Sequence, residues 1–141
     1  MKGTTTIKQP LDLTKLIVNY NKFAMDFLDE HSDDPFFLYV PFSHVHVTIH
    51  DIQPFAQYAS CPFINTTSRG RFGDALHEVD WMVENIMTSI RAKGIEENTL
   101  VLFTSDNGPW LEMKEGAGSA GLFTGVSSGY WNTGKGSTWE G

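Results

Sequence analysis

The 141-residue chain has a single cysteine, Cys61, and therefore cannot close an internal disulfide. One thiol also makes no cysteine-type metal cluster, and no His/Asn set marks it as a nucleophile, so an inert thiol is expected. Basic residues are scarce: 10 Lys and Arg against 17 Asp and Glu give a net charge of −7. Phosphate backbones are bound by basic surfaces, so this balance argues against nucleic acid as a partner. It still allows a few cations in a cleft. Long hydrophobic runs are missing too. No apolar stretch approaches the ~20 residues of a membrane span. The first residues, "MKGTTTIKQPLDL", carry no apolar core of a signal peptide. What remains, 40% hydrophobic and 19% charged, suffices for one modest globular domain.

Within that composition the apolar residues are periodic. Leu13, Leu16, Ile17, Tyr20, Phe23, Ala24, Phe27 and Leu28 recur at three and four, which predicts a helix over 13–28. Asp12 or Thr14 is placed to cap it, and "HSDDP" ends it because Pro35 cannot continue a helix. "FFLYVPF" (36–42) is almost wholly apolar and predicts a strand buried on both faces. Residues 47–71 read as loop. Phe72, Leu76, Val79, Val83, Ile86, Met87 and Ile90 predict a second helix, with Gly94 at its C′ position. "ENTLVLF" (97–103) predicts a second strand. The segment 116–141 is glycine-rich and reads as a long loop. A strand–helix–strand order implies two parallel strands with a right-handed crossover. The expected fold is therefore α/β, part of a mostly parallel sheet flanked by helices.

In such sheets ligands gather beyond the carboxyl ends of the strands. The first strand is followed by "SHVH". His44 and His46 are two apart, so on extended backbone they face the same way. The second is followed by "SDNG". Asp106 and Asn107 offer a carboxylate and a carbonyl oxygen, which suit Ca²⁺ or Mg²⁺ rather than zinc. "DNG" (106–108) also makes a favourable turn, and two oxygens fall far short of the six to eight that Ca²⁺ takes. Lys135, between glycines in "NTGKGSTWEG", is suited to reach an anion as a point charge, or simply to be solvated. Trp139 and Glu140 beside it can serve packing alone, as can Phe123, Tyr130 and Trp131 of the preceding loop. "NTT" at 65–67 makes Asn65 an N-glycosylation acceptor by pattern.

Taken in order, "PFFLYVPFSHVH", "RGRFGDALHEVDWMV", "NTLVLFTSDNGPW" and "GKGSTWEG" resemble the arylsulfatases of the alkaline-phosphatase-like superfamily. "QPLDLTKL" resembles the segment before that family's central helix. "DNGPW" with "AGSAGLFTG" and "GKGSTWEG" looks most like the arylsulfatase A and G branch. The resemblance spans nearly the whole chain. It implies hydrolysis of a sulfate ester to an alcohol or phenol and inorganic sulfate, the substrate being a sulfated small molecule, glycan or lipid. It implies Ca²⁺, with Mg²⁺ as the alternative, held in part by Asp106 and Asn107. Lys135 matches the family's sulfate-contacting lysine. His46 matches the histidine that touches the sulfate and is placed to protonate the leaving group, and His44 is the second-rank candidate. A lysosomal or secreted full-length glycoprotein is implied; oligomeric state stays open.

The family's nucleophile is a formylglycine made from the cysteine of a C-x-P-S-R segment. This sequence has no such segment; Cys61 is followed by "PFIN". Nor is there an Asp-Asp pair at the end of a leading strand, or the upstream histidine and lysine. Thr48 stands where many members have proline. Residues 1–141 are therefore expected to be an internal part of a sulfatase catalytic domain, lacking the formylglycine strands and the C-terminal portion, and inactive alone. The alternative is a non-catalytic sulfate- or glycan-binding remnant. Two strands without their neighbours would leave an aggregation-prone edge.

Overall fold

In the computed structural model the described residues are 3–6, 9–47, 58–109 and 116–119. The chain divides into two compact units, Met1–Thr99 and Leu100–Gly141. The regular elements lie in the first. Helix α1 spans Leu16–His31 and helix α2 spans Gly70–Ala92. Short 3-10 turns sit at Leu13–Lys15, Cys61–Phe63 and Glu96–Asn98.

Both helices begin and end for local reasons. Asp12 precedes the turn that leads into α1, and its carboxylate accepts from the Thr14 N–H at 3.1 Å, satisfying a donor the helix itself leaves bare. Of the two expected caps, Asp12 acts on this turn, whereas the N-cap position of α1 itself, Lys15, makes no side-chain cap bond. At the end of α2, Gly94 adopts φ +68°, its N–H donates to the Arg91 carbonyl at 2.9 Å, and the Ile95 N–H donates to the Ile90 carbonyl at 3.3 Å. These two bonds make a Schellman motif, which requires the left-handed backbone that glycine takes at least cost.

The helices pack on each other along their apolar stripes. Ile17 and Ala24 of α1 meet Met82 of α2, with Ala59 and Phe63 from the intervening loop, in one buried cluster. Ile17 and Met82 are fully buried; burial of such a side chain stabilises by about 1.5–3 kcal/mol. Asn85 Nδ2 donates to Asn21 Oδ1 at 3.2 Å, and Lys93 Nζ lies 2.6 Å from Asp29 Oδ1, tying the two helices at their polar margins. Two expected apolar positions turn outward: Phe23 is 67% and Leu76 48% exposed.

The expected parallel sheet is not found. Among the described residues there is no strand element, and the architecture of the first unit is helical. The reason lies in what apolar content does and does not specify. Along 36–42 the side chains alternate: Leu38, Val40 and Phe42 pack against the helical core, whereas Phe37 is 86% and Tyr39 74% exposed. One face of the run is therefore buried, not both. Burial of that face needs only the helices; a ladder needs a neighbouring backbone to take the N–H and C=O groups. The second run forms no strand either, with Leu100, Leu102 and Phe103 exposed at 84%, 82% and 68%. An apolar stretch of six residues states a wish for cover, and the described residues do not supply it.

Candidate functional site

Helix α2 carries two acids four residues apart, Asp74 and Glu78, and both are buried. They fall on the same stripe as Ala75, Val79 and Met82 and so face inward. A buried carboxylate is tolerated only when N–H or O–H groups replace its water. Each acid has them, and each organises a different piece of chain.

Asp74 gathers the loop before its own helix. Its Oδ2 accepts from the Asn65 N–H at 2.8 Å, and its Oδ1 accepts from the N–H groups of Thr66 and Thr67 at 3.1 and 3.0 Å and from the Thr67 hydroxyl at 3.1 Å. Burial pushes this carboxyl upward, but the donors from Asn65, Thr67 and Thr66 outweigh it and hold Asp74 below its ordinary value of 3.8. The loop comes so close that a Cβ on Gly73 would lie 2.6 Å from Arg69 Cβ and closer still to the Thr67 hydroxyl. Glycine at 73 is thus a condition of the Asp74 contacts. Asn65, the sequon residue, is exposed and takes φ +59°.

Glu78 reaches two distant segments. Its Oε1 and Oε2 each accept from the Ser60 N–H at 3.2 Å, and its Oε2 lies 3.0 Å from His44 Nε2. Both side chains are sealed from water, at 0% for Glu78 and 6% for His44. A carboxylate facing this ring nitrogen requires the proton on Nε2. The Ser60 hydroxyl is also buried, with no hydrogen-bond partner among the described residues.

Two residues on, His46 is exposed. Its Nδ1 lies 2.6 Å from the carbonyl oxygen of Val47, which can only accept, so Nδ1 carries the proton and Nε2 points its lone pair or second proton elsewhere. The pair "HVH" is thus divided: His44 is an anchored interior residue and His46 a presented one.

In the second unit, Asp106 and Asn107 occupy an exposed bend. The Ser105 hydroxyl donates to the Asn107 carbonyl at 2.7 Å, and Asn107 Nδ2 donates to the Gly108 carbonyl at 2.7 Å. With its amide nitrogen turned to the backbone, the Asn107 side-chain oxygen is the atom left to act as a ligand. The donor set, one carboxylate and one amide oxygen, fits a hard cation as part of its shell. Among the described residues no three His, Cys, Asp or Glu side chains converge on a point that would hold a metal. Lys135, with Trp139, Glu140, Phe123, Tyr130 and Trp131, lies outside the described residues. Among those described, no helix is long and apolar enough to cross a membrane.

Asp74 and Glu78 were not anticipated as site residues. Charged residues on a helix are ordinarily assigned to its solvated face. The signal that marks them is positional: in "GDALHEVDWM" both fall in phase with Ala75, Val79 and Met82, inside the apolar stripe.

Comparison with known proteins agrees with the motifs. The family model for sulfatases matches residues 14–140. An arylsulfatase of Hemicentrotus pulcherrimus is 35% identical over 94% of this chain, steryl-sulfatase of Rattus norvegicus 36% over 100%, and arylsulfatase A of Homo sapiens 37% over 94%. Such even identities single out no branch. The chain spans 22%, 22% and 24% of those relatives' lengths, respectively. With a family model covering residues 14–140, the chain belongs to the sulfatase family.

Proposed function

We infer that the protein hydrolyses sulfate esters of the aryl-sulfate type, and that this chain contributes part of the active site. The reading rests on one observation: an exposed His46 held beside an anchored His44, in a chain that matches the sulfatase model over residues 14–140. The relatives' names, arylsulfatase and steryl-sulfatase, give the substrate class of those proteins.

Cleavage of a sulfate monoester breaks the S–O bond to the leaving group, and that oxygen departs with negative charge unless it receives a proton. His46 is the donor in this scheme. With Nδ1–H committed to Val47, the proton is delivered from Nε2 of the imidazolium. The full-length protein is lysosomal or secreted in this reading. Lys135 offsets the charge of the sulfate oxygens. Asp106 and Asn107 are two of the oxygen ligands of a calcium ion, with magnesium as the alternative. When bound, such an ion supplies charge neutralisation at the sulfate. The chain's only cysteine lies outside any C-x-P-S-R segment, so no nucleophilic step is assigned to its residues. Asn65, exposed within its sequon, is the glycan acceptor in this reading.

The test is equilibrium binding of a chromogenic aryl sulfate, and of the matching aryl phosphate, to the purified chain. Expected are a preference for the sulfate, weaker binding in His46→Ala and in Lys135→Ala, and no turnover by the chain alone. Equal binding of the two esters, or no effect of either substitution, overturns the reading. Sulfate binding that yields no turnover even when the catalytic remainder is supplied identifies a recognition remnant instead.

A further inference from the structure

We propose that Glu78 is a positioning residue for His46, acting through His44. The argument rests on the role of His46 given above, but its geometry stands apart from that role. His46 is exposed, and nothing described at its ring except the Val47 carbonyl holds it. An exposed side chain in an irregular segment samples several rotamers unless its backbone is fixed. The nearest fixed point in sequence is His44, two residues earlier. Its ring is buried and bound through Nε2 to Glu78 at 3.0 Å. Glu78 is itself held on several sides: it sits within α2, fully buried, and its two oxygens also accept from the Ser60 N–H at 3.2 Å. One carboxylate on a rigid helix thus ties together two irregular segments, the one before Cys61 and the one bearing both histidines. Such a device trades burial of a charge for placement of a chain.

The two donors facing Glu78, the Ser60 N–H and His44 Nε2–H, are both N–H groups, so its oxygens serve only as acceptors. Glutamine keeps the shape but offers one acceptor oxygen, and its NH₂ then opposes either the Ser60 N–H or His44 Nε2–H. Histidine ¹⁵N NMR of the whole chain at pH 8 reads the outcome directly. In wild type, His44 carries its proton on Nε2 and His46 shows a single Nδ1–H form. In Glu78→Gln, His44 is expected to lose its pure Nε2–H signature and His46 to shift to a mixture of tautomers. His44→Ala should disturb His46 in the same way while leaving Glu78 on Ser60, and it decides the matter if Glu78→Gln does not fold. His44→Gln restores an N–H donor and should return His46 toward the wild-type signature. A His46 spectrum unchanged in His44→Ala overturns the proposal, whatever the chain's affinity for sulfate. If His46 responds as expected but no aryl sulfate binds, the positioning stands and the sulfatase role of His46 falls.

Discussion

Residues 58–78 and residues 99–109 differ in how their polar groups are answered. In the first region the partners are far apart in sequence. Asp74 takes donors seven to nine positions away, and Glu78 takes Ser60 at eighteen and His44 at thirty-four. In the second, side-chain hydrogen bonds stay local, reaching one to four positions, from Thr99 to Ile95, Thr104 to Ser105, Ser105 to Asn107 and Asn107 to Gly108. The first region is a folded device whose polar groups are spent on holding shape. The second displays its groups, together with exposed Leu100, Leu102 and Phe103. Substitutions should therefore cost stability in the first and leave it almost untouched in the second.

The severest test is Glu78→Ala. It strands the His44 ring N–H and the Ser60 N–H in a sealed site and opens a cavity. Loss of one partner of a buried pair costs about 3–5 kcal/mol, so urea denaturation should show the chain destabilised by that order or unfolded outright. A loss below ~1 kcal/mol would mean the segments at 44 and 60 hold themselves, and the contrast between the regions would collapse.

Asp74→Asn should cost less, roughly 2 kcal/mol, as expected for hydrogen bonds to a charged group. Its pH dependence carries a sign. The folded carboxyl lies below 3.8, so the folded state favours the ionised form. That stabilisation is fully present above the unfolded value and is lost as pH falls through the folded one. Wild type and Asp74→Asn should therefore differ by a constant amount at neutral pH and converge below about pH 4. A gap that widens on acidification would contradict the direction assigned here.

Gly94→Ala probes backbone alone. The residue sits at φ +68° with open space around it, so no clash is added. Alanine in the left-handed region costs roughly 1–2 kcal/mol, and the melting temperature of the first unit should fall accordingly. No change would show that α2 ends without help from its Schellman motif.

How much of this was legible beforehand depends on which property the sequence encodes locally. Helix periodicity placed both helices, because spacing at three and four brings Ile17, Tyr20 and Ala24 of one helix and Ile86 of the other to the same core, though not Phe23 or Leu76. Gly94 was legible because a left-handed C′ position has few other occupants. The sheet was misread because "FFLYVPF" encodes a tendency to be covered, not the identity of what covers it; Leu38 and Val40 found helices. Glu78 escaped because its partner, His44, lies thirty-four positions away, and no local pattern pairs them. His46 and the Asp106–Asn107 pair were picked out by motif, and their presentation at exposed positions is a property of the fold that the motif does not contain.

The smallest stability effect is expected at Asp106. Substitution to alanine at an exposed bend, with no described bond to the carboxylate, should leave stability within about 0.5 kcal/mol. That near-silence gives the variant its value. If Asp106 and Asn107 are ligands, their carboxylate and amide oxygens supply two of at least six positions, so calorimetry with calcium should find affinity no tighter than about millimolar in this chain, and Asp106→Ala should abolish it. A variant that keeps its fold and loses calcium separates function from structure in a way no substitution at Glu78 or Asp74 can. Were Asp106→Ala instead to destabilise the chain by more than ~1 kcal/mol, the carboxylate would be a structural group like Asp74. The exposed segment would then belong to the same class as the buried one.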